Sequence, residues 1–518
     1  MTPPLTVRNL TATPILLKGI ERFEDPNSLQ SKPSAFSFAS NTTTSLAPTS
    51  PRLGEHARSF NHEDLDVTLA PLESWTLHIN EDEDEEEKKA PSTLSNTTIR
   101  LTIEIPNGER YRIDTNPSYT QKASHSFTPL SPNPSTSYQA LYHPANPSSN
   151  LTIHSNHLYD LSKWMATLPS TLPLSAISIP GTHNSHAHYR ALPSVRCQVV
   201  DIKTQLENGI RFLDIRLQPA HATDASKKDL YLVHGAFPVS LTGNKLFEPV
   251  LQTIYAFLAH NPSETVLLSL KREGVGSSTD AHLSEILDRH YIAPSAAKWH
   301  TGPSIPYLGS VRGKIVLVRR YDLHSPPPAS ASPSAAPPDD TAGFGLDATV
   351  WPYNTTHAHH GPFCIQDFCE VLHPSSIGEK LRFSNEHLGR AAECVALVPG
   401  VNTDSRNPVP AGPVYLNFCS GSNFWNPACW PGKISKVVNR GLEEWVVRGH
   451  HLVEPVAEPG RPGEGAEGIR EGMRRAKEGD GGTGVVVMDF VGEGQDWDLV
   501  RLIIGLNMGV VRRVGSEK

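Results

Sequence analysis

From about residue 158 onward, short apolar runs alternate with segments of helical periodicity, and this alternation most limits how the chain can fold. Such a pattern is typical of βαβ units, in which crossover helices join parallel strands. We interpret eight runs as strands, at residues 174–183, 209–217, 230–235, 265–273, 313–321, 362–368, 413–421 and 484–492. Helical patterns lie between several of them, at residues 195–209, 245–262, 281–291 and 434–449. Eight strand candidates predict an α/β fold, a TIM-like (β/α)₈ barrel.

Polar side chains end most of these apolar runs. In a TIM-like barrel the active site lies at the carboxyl ends of the strands. The strand-end residues, in chain order, are His183, Asp214, Arg216, His234, Lys271, Arg320, Asp367 and Asp489. Packing alone does not explain why apolar runs repeatedly finish in a charged or imidazole side chain. The sequence therefore predicts that these residues share one site.

Composition excludes several classes of protein. The 518 residues carry a formal net charge of −8, which argues against a nucleic-acid binder and against tight electrostatic docking on anionic membranes. The N-terminus lacks the pattern of a secretion signal, and no run approaches the roughly 18 apolar residues of a transmembrane segment. The six cysteines form no CxxC pair. We expect reduced thiols in a cytoplasmic or peripheral membrane protein.

Residues 1–155 differ from the rest of the chain. Residues 5–23, 65–79 and 97–113 alternate apolar and polar side chains, which predicts a β-rich, sandwich-like module. A Ser/Thr-rich loop at residues 31–51 and an acidic run at residues 81–89 separate these strands. Nothing in the module resembles a catalytic motif.

The barrel domain is expected to span residues 156–518, with low-complexity insertions. Residues 324–343 are rich in Pro, Ser and Ala and predict a disordered loop. Residues 458–482 are rich in Gly and Glu, and we expect part helix and part loop. A His-rich tract, His357, His359 and His360, is interpreted as a further loop.

The predicted strand-end residues suit the cleavage of a phosphodiester. Arg216 can grip a phosphate with two parallel hydrogen bonds as negative charge grows on its oxygens. One histidine can take a proton from the nucleophile while the other gives one to the leaving group, because imidazole titrates near neutral pH. Asp489 is our candidate for the carboxylate that orients the base.

These residues lie in motifs that resemble a known family. SIPGTHNSHA, GIRFLDIRL, LYLVHG and LLSLKRE are similar to the X domain of phosphatidylinositol-specific phospholipase C, especially to the compact bacterial-type enzymes. The resemblance covers roughly residues 160–510 and extends more weakly to KIVLVRRY, PVYLNFCSG and VVVMDF. It implies a TIM-like barrel that cleaves a glycerophosphoinositol lipid at a membrane surface.

The resemblance also implies roles for individual residues. His183 would activate the inositol 2-hydroxyl as a general base, with Asp489 orienting it. His234 would protonate the diacylglycerol oxygen, giving a 1,2-cyclic inositol phosphate as the first product. Arg216 would bind the phosphate, beside Asp214. Lys271, Arg320 and Asp367 would contact the inositol hydroxyls.

Two positions depart from the bacterial-type pattern. Asn184 stands where those enzymes have Asp; calcium-dependent relatives carry Asn there as a metal ligand. Calcium-dependent relatives also have carboxylates at the end of the second strand, where this chain has Arg216, whose guanidinium would repel the ion. We therefore expect no metal or other cofactor, with calcium disfavoured. Cys369 lies near the place of a Tyr that stacks under inositol.

Two other functions remain open on the sequence. The first is a metal-dependent glycerophosphodiester phosphodiesterase or an enzyme similar to sphingomyelinase D, which would need a carboxylate pair where only Asp214 is present. The second is a catalytically impaired protein that binds lipid head groups, an alternative kept open by Asn184 and Cys369.

Overall fold

The computed structural model describes residues 4–24, 59, 61–77, 97–117, 122–144, 148–155, 160–324, 345–407, 409–453 and 472–516. The predicted loop at residues 31–51 and the acidic run at 81–89 lie outside this set. So do residues 325–343 and 458–471 of the two predicted insertions. The described residues 472–482 contain a short strand and no helix. All six cysteines are free thiols.

The chain divides into two compact units. The first comprises Met1–Leu158 and Val447–Lys477, and the second comprises Tyr159–Val446 and Glu478–Lys518. The sequence-based division assigns residues 447–477 to the barrel domain. In the structure the described residues among them, 447–453 and 472–477, belong to the first unit, where Met473–Arg474 pairs with the strand Ser74–Leu77.

The first unit contains two β-sheets. Their strands are β1 (Leu5–Asn9), β2 (Ile15–Glu24), β3 (Asn61–Leu69), β4 (Ser74–Leu77), β5 (Thr97–Glu104), β6 (Arg110–Thr115), β7 (Ala123–Ser126), β8 (Thr128–Pro129), β9 (Tyr138–His143), β10 (Ser149–Ser155) and β22 (Met473–Arg474). One sheet has the order β22-β4-β1-β10-β9-β7 and the other the order β3-β2-β5-β6-β8. Alternating apolar residues from both sheets form one hydrophobic core, in which Tyr111 packs edge-on against Tyr138.

The second unit contains a mainly parallel sheet with helices. Its strands are β11 (Ile179–Thr182), β12 (Phe212–Pro219), β13 (Leu230–His234), β14 (Phe237–Pro238), β15 (Val266–Arg272), β16 (Trp299–His300), β17 (Ile315–Arg320), β18 (Leu346–Asp347), β19 (Ala358–His360), β20 (Phe363–Gln366), β21 (Val414–Phe418) and β23 (Val485–Met488). The helices are α1 (Ile202–Glu207), α2 (Phe247–His260), α3 (Asp280–Leu287), α4 (Leu308–Val311), α5 (Ser376–Ala392), α6 (Pro431–Arg448), α7 (Asp498–Gly505) and α8 (Met508–Ser516). Side-chain caps mark two helix starts, Asp201 before α1 and Thr279 before α3.

Seven of the eight predicted runs form one continuous parallel sheet, in the order β17-β15-β12-β11-β23-β21-β20. The eighth, β13, was predicted as the third barrel strand but runs antiparallel to β12. Only residues 220–229 connect β12 to β13, and a parallel crossover needs a dozen residues or more. Pairing among the described strands does not close this sheet, so an eight-stranded barrel is not confirmed.

A buried ion pair fixes the start of β12 beneath the sheet. The guanidinium of Arg211 donates to Glu264 at 2.9 Å and to the carbonyls of Leu161, Ser162, Leu206 and Ile210. Both charged side chains are fully buried. Because the backbone carbonyls satisfy the remaining guanidinium donors, the charge is tolerated in the interior.

Candidate active site

His183 follows β11 and is oriented by two neighbours. Its Nδ1 donates to Oδ1 of Asp489, which follows β23, at 2.9 Å. Its Nε2 accepts from Nδ2 of Asn184 at 3.2 Å. A carboxylate only accepts, so the proton of the neutral ring resides on Nδ1 and Nε2 carries the lone pair. His183 is thus arranged to take a proton through Nε2.

Asn184 lies in the turn that follows β11. Its φ of 40° is in the left-handed region, where Asn is tolerated better than most residues. Its backbone N–H donates to Oδ2 of Asp214, within β12, at 3.2 Å, so this bond connects the turn after β11 to β12. The Asn184 side chain is fully buried, and its Oδ1 has no hydrogen-bond partner.

His234 ends β13 and faces His183. The two ring centroids are 5.9 Å apart, with the ring planes at 89°. Nδ1 of His234 donates to the carbonyl of Val195 at 2.8 Å, which leaves Nε2 for a ligand. Burial, and then the charge of His183, lowers the pKa of His234 below its ordinary value. Although β13 runs antiparallel to β12, it therefore places His234 next to His183.

Arg216 lies between two carboxylates. Its Nε and Nη2 donate to Oδ2 of Asp214 at 3.0 and 2.9 Å, and its Nη1 donates to Glu273. The same face of β15 carries Lys271, whose Nζ donates to Glu273 at 2.9 Å. Two anionic and two cationic side chains thus form one network next to the histidines.

In this network the charges of neighbouring groups together change the pKa values more than burial does. Burial alone would raise the pKa of the Asp214 carboxyl, but Arg216 and then Arg320 bring it well below its usual range. Burial likewise opposes ionisation of Glu273, yet Arg216 and Lys271 lower its pKa well below the ordinary value. The pKa of Arg216 is raised because Asp214 and Glu273 outweigh the effect of its own burial. All three groups are therefore charged at neutral pH.

The two ends of the open sheet meet at Trp351. Arg320, from β17, places its guanidinium 3.8 Å from the Trp351 ring centroid and 3.4 Å from Oδ1 of Asp214. Asp367, after β20, accepts from the Trp351 indole N–H at 3.2 Å. Phe418 lies between the Trp351 and His183 rings, at 5.7 and 6.3 Å. Side chains from β17 and from the segment after β20 therefore converge on one tryptophan.

The structure thus places every predicted site residue in one connected cluster. It adds three residues that the sequence reasoning missed. Glu273 could have been found, because it is two residues after Lys271 on the same strand face. Cys197, with its Sγ 3.6 Å from Nδ1 of His234, and Trp351 both lie in irregular segments that carry no periodic signal. Cys369 lies further out, where its backbone N–H donates to Asn354.

One set of side chains in this cluster could hold a metal ion. Ligand atoms of His183, Cys197 and Asp489 lie within 4.8 Å of one another. In the structure, however, the Nδ1 of His183 is committed to Asp489, and burial raises the pKa of the Cys197 thiol well above its ordinary value. The carboxylates Asp214 and Glu273 are both engaged by Arg216. The described side chains thus place two imidazoles, which can exchange protons, next to a guanidinium, which can bind an anion.

Comparison with known proteins agrees with the resemblance in the motifs. The sequence model described as "Phosphatidylinositol-specific phospholipase C, X domain" matches residues 170–321. This segment includes His183, Asp214, Arg216, His234, Lys271 and Arg320. Asp367 and Asp489 lie beyond the matched X-domain residues.

Curated relatives match a limited share of the chain. The 1-phosphatidylinositol phosphodiesterase of Listeria monocytogenes is 34% identical over 175 residues, which are 32% of this chain and 50% of the relative. The enzyme of that name from Staphylococcus aureus (strain Newman) is 30% identical over 181 residues, covering 32% and 55%. A human PI-PLC X domain-containing protein 1 is 31% identical over 150 residues, covering 23% and 44%. The chain spans about half the length of the curated relatives it matches.

Solved structures give a looser match. A phosphatidylinositol-specific phospholipase C from Staphylococcus aureus has a TM-score of 0.47 and 20% identity, covering 67% of this chain and 97% of that one. The Listeria monocytogenes enzyme has a TM-score of 0.44 and 22% identity, covering 67% and 98%. Among the described residues, none of the helices has both the length and the apolar character that a bilayer crossing requires.

Proposed function

We propose that the chain is a phosphatidylinositol phospholipase C, which splits a glycerophosphoinositol lipid into a cyclic inositol phosphate and diacylglycerol. The observation that carries this proposal is the pair of perpendicular imidazoles, 5.9 Å apart, whose Nδ1 atoms are both tied back to the protein. Nε2 of His234 is left for one of the two proton transfers that the reaction needs, and Nε2 of His183, whose lone pair accepts from Asn184, is assigned the other.

In the proposed reaction the nucleophile belongs to the substrate. Nε2 of His183 takes the proton of the inositol 2-hydroxyl, and that oxygen attacks the phosphorus. A bond from phosphorus to the 2-oxygen forms, and the bond to the diacylglycerol oxygen breaks. Nε2 of a protonated His234 gives its proton to that leaving oxygen. Intramolecular attack needs no second molecule in position, which removes much of the entropic barrier.

Protonation of His234 depends on the substrate. Burial favours the neutral ring in the resting protein, as its lowered pKa indicates. A phosphodiester bound between the histidines brings a negative charge next to the ring and would favour the imidazolium. The acid would then be charged when the leaving oxygen needs the proton.

Arg216 is proposed to bind the phosphate. Three of its five N–H donors are engaged by Asp214 and Glu273, which leaves two for the non-bridging oxygens. Because the two carboxylates fix the guanidinium in advance, no reorganisation is needed as charge develops on the phosphate. The guanidinium also does the electrostatic work of a cation, so we propose a reaction without calcium.

Head-group recognition is assigned to the outer part of the cluster. Lys271, Arg320 and Asp367 offer donors and an acceptor that can pair with ring hydroxyls. The exposed Tyr353 lies near Cys369, and its hydroxyl donates to Glu370 at 2.9 Å. An aromatic side chain is therefore available close to Cys369, although it comes from another segment.

Phosphorus NMR on mixed lipid vesicles tests the proposal. Vesicles would contain phosphatidylcholine, phosphatidylethanolamine, phosphatidylserine and phosphatidylinositol. We expect a cyclic phosphodiester signal, drawn from phosphatidylinositol alone, and its loss in His183→Ala. The matched control is His260→Ala, an exposed histidine at the end of α2 that bonds only within its own helix.

Each other outcome contradicts the proposal. Equal inertness of the wild type and His183→Ala on all four lipids would indicate a head-group binder. Release of a non-cyclic product would indicate hydrolysis by water. A wild-type protein that is active only with added calcium would contradict the metal-independent reaction.

A further inference from the structure

A second cluster of metal-ligating side chains lies away from the proposed reaction, between the sheet and helix α5. The tract His357–His360, interpreted from sequence as a loop, includes strand β19, which pairs antiparallel with β20 and brings His359 opposite Cys364. His357 and His359 are two residues apart. Nδ1 of His357 lies 3.7 Å from Sγ of Cys364, and Nε2 of His359 lies 3.9 Å from it.

Helix α5 supplies a third imidazole to this cluster. His387 is fully buried, and its ring lies 6.3 Å from that of His357. The backbone of Cys364 lies beside the ring, yet neither imidazole nitrogen of His387 makes a hydrogen bond of normal geometry. Two buried nitrogens without partners are costly, which calls for a ligand.

The distances suit a tetrahedral metal ion. Zn–S bonds of about 2.3 Å and Zn–N bonds of about 2.0–2.1 Å place ligand atoms about 3.3–3.6 Å apart on a tetrahedron. Ligand atoms of His357, Cys364 and His387 all lie within 4.8 Å of one another. The exposed His359 lies beside the same point, with its Nε2 3.9 Å from Sγ of Cys364. We propose that His357, Cys364 and His387, with His359 as fourth ligand, form a structural site for zinc or a similar borderline-soft divalent cation.

The donor set decides the class of metal. One thiolate with imidazoles suits zinc and cobalt, whereas calcium and magnesium prefer oxygen ligands. Burial raises the pKa of the Cys364 thiol to about 11, and burial lowers that of His387 to about 3. Both groups are therefore neutral without metal, and loading displaces the thiol proton.

One neighbouring charge opposes a cation. Burial, and then the charge of Arg390, one helical turn after His387, lowers the pKa of both His357 and His387. Nη2 of Arg390 lies 3.5 Å from Oε2 of Glu386, so an ion pair offsets part of that charge. The thiolate formed on loading would offset more. The site joins the β19–β20 hairpin to α5, which gives the metal a structural role.

Cobalt titration of the full chain tests the site, because Co²⁺ bound to a thiolate has its own charge-transfer band in the near ultraviolet. The protein is first freed of metal with a chelator and dialysed. We expect one equivalent of Co²⁺ to give that band together with the visible bands of tetrahedral cobalt. Added Zn²⁺ should displace the cobalt and raise the melting temperature.

Variants locate the bound ion. Cys364→Ser should abolish the charge-transfer band, and His357→Asn, at an exposed position that does not threaten folding, should weaken binding by more than about tenfold. The control is His360→Asn, the neighbouring residue on the opposite face of β19, which should bind as the wild type does. Absence of the band in the wild type overturns the proposal. So does unchanged binding in Cys364→Ser and His357→Asn, since the ion would then lie elsewhere.

Discussion

Replacing Asp489 with Asn changes one hydrogen bond in the proposed active site and little else. Asp489 is 2% exposed, its Oδ1 accepts from Nδ1 of His183, and its Oδ2 has no partner. Asparagine has nearly the same shape, but its amide nitrogen can turn toward Nδ1 and donate. The imidazole would then carry its proton on Nε2, the atom that has to accept the proton of the nucleophile.

We expect a large decrease in kcat and a small change in KM. A general base contributes roughly 10²–10⁴-fold, so kcat should fall by that factor, equivalent to about 3–5 kcal/mol of transition-state stabilisation. KM should change little, because Asp489 has no atom directed at the phosphate. Phosphatidylinositol turnover and thermal melting are measured on the same preparations.

A control variant distinguishes the loss of His183 orientation from general destabilisation of the protein. Asp114→Asn, in the first unit, removes another carboxylate that pairs with a cation, Arg100, at 2.7 Å. It should leave kcat unchanged. Retention of more than a third of wild-type kcat in Asp489→Asn would refute the reasoning. A loss of activity that merely follows a lowered melting temperature would refute it equally.

Three further predictions concern the same unit. Because the acid His234 has a pKa lowered below 6.5 in the free protein and acts in its protonated form, kcat/KM should decline as pH rises through that pKa; a profile that is flat from pH 5 to 8 contradicts its role. Arg216→Lys should lower kcat/KM on phosphatidylinositol by more than about tenfold, since one ammonium cannot bond to Asp214, Glu273 and a phosphate with the geometry of a guanidinium; wild-type kinetics would exclude Arg216 as the phosphate ligand. Arg211→Ala should destabilise the unit by about 3–5 kcal/mol in urea unfolding, because Glu264 is left buried without its partner; the exposed Arg440→Ala serves as control, and equal midpoints would contradict the argument.

The strands and their polar ends were predictable because both signals are local. Each parallel strand is an apolar run, and the residue type changes where the strand leaves the core. The direction of β13 was not local information, because its sequence is equally suited to parallel or antiparallel pairing. The connection, residues 220–229, determines the direction of β13, because it is too short for a parallel crossover.

The residues that escaped prediction have a common physical reason. Trp351 and Cys197 lie in irregular segments, where no periodicity ties a position to a face. For the His-rich tract His357, His359 and His360, composition alone predicts a loop. Its ligands come together only through the β19–β20 hairpin and a helix that begins ten residues after β20, and a single sequence does not display that pairing.

The central and the outer strands of the sheet carry different parts of the proposed site. His183, Arg216 and Asp489 come from the adjacent central strands β11, β12 and β23, whose parallel hydrogen bonds fix their relative positions. Arg320 and Asp367 come from the two ends of the parallel order and both contact Trp351, which lies in a loop. Loops change more readily than central strands. In the proposed reaction, the outer contacts could therefore change with the head group while the positions of His183, Arg216 and Asp489 are kept.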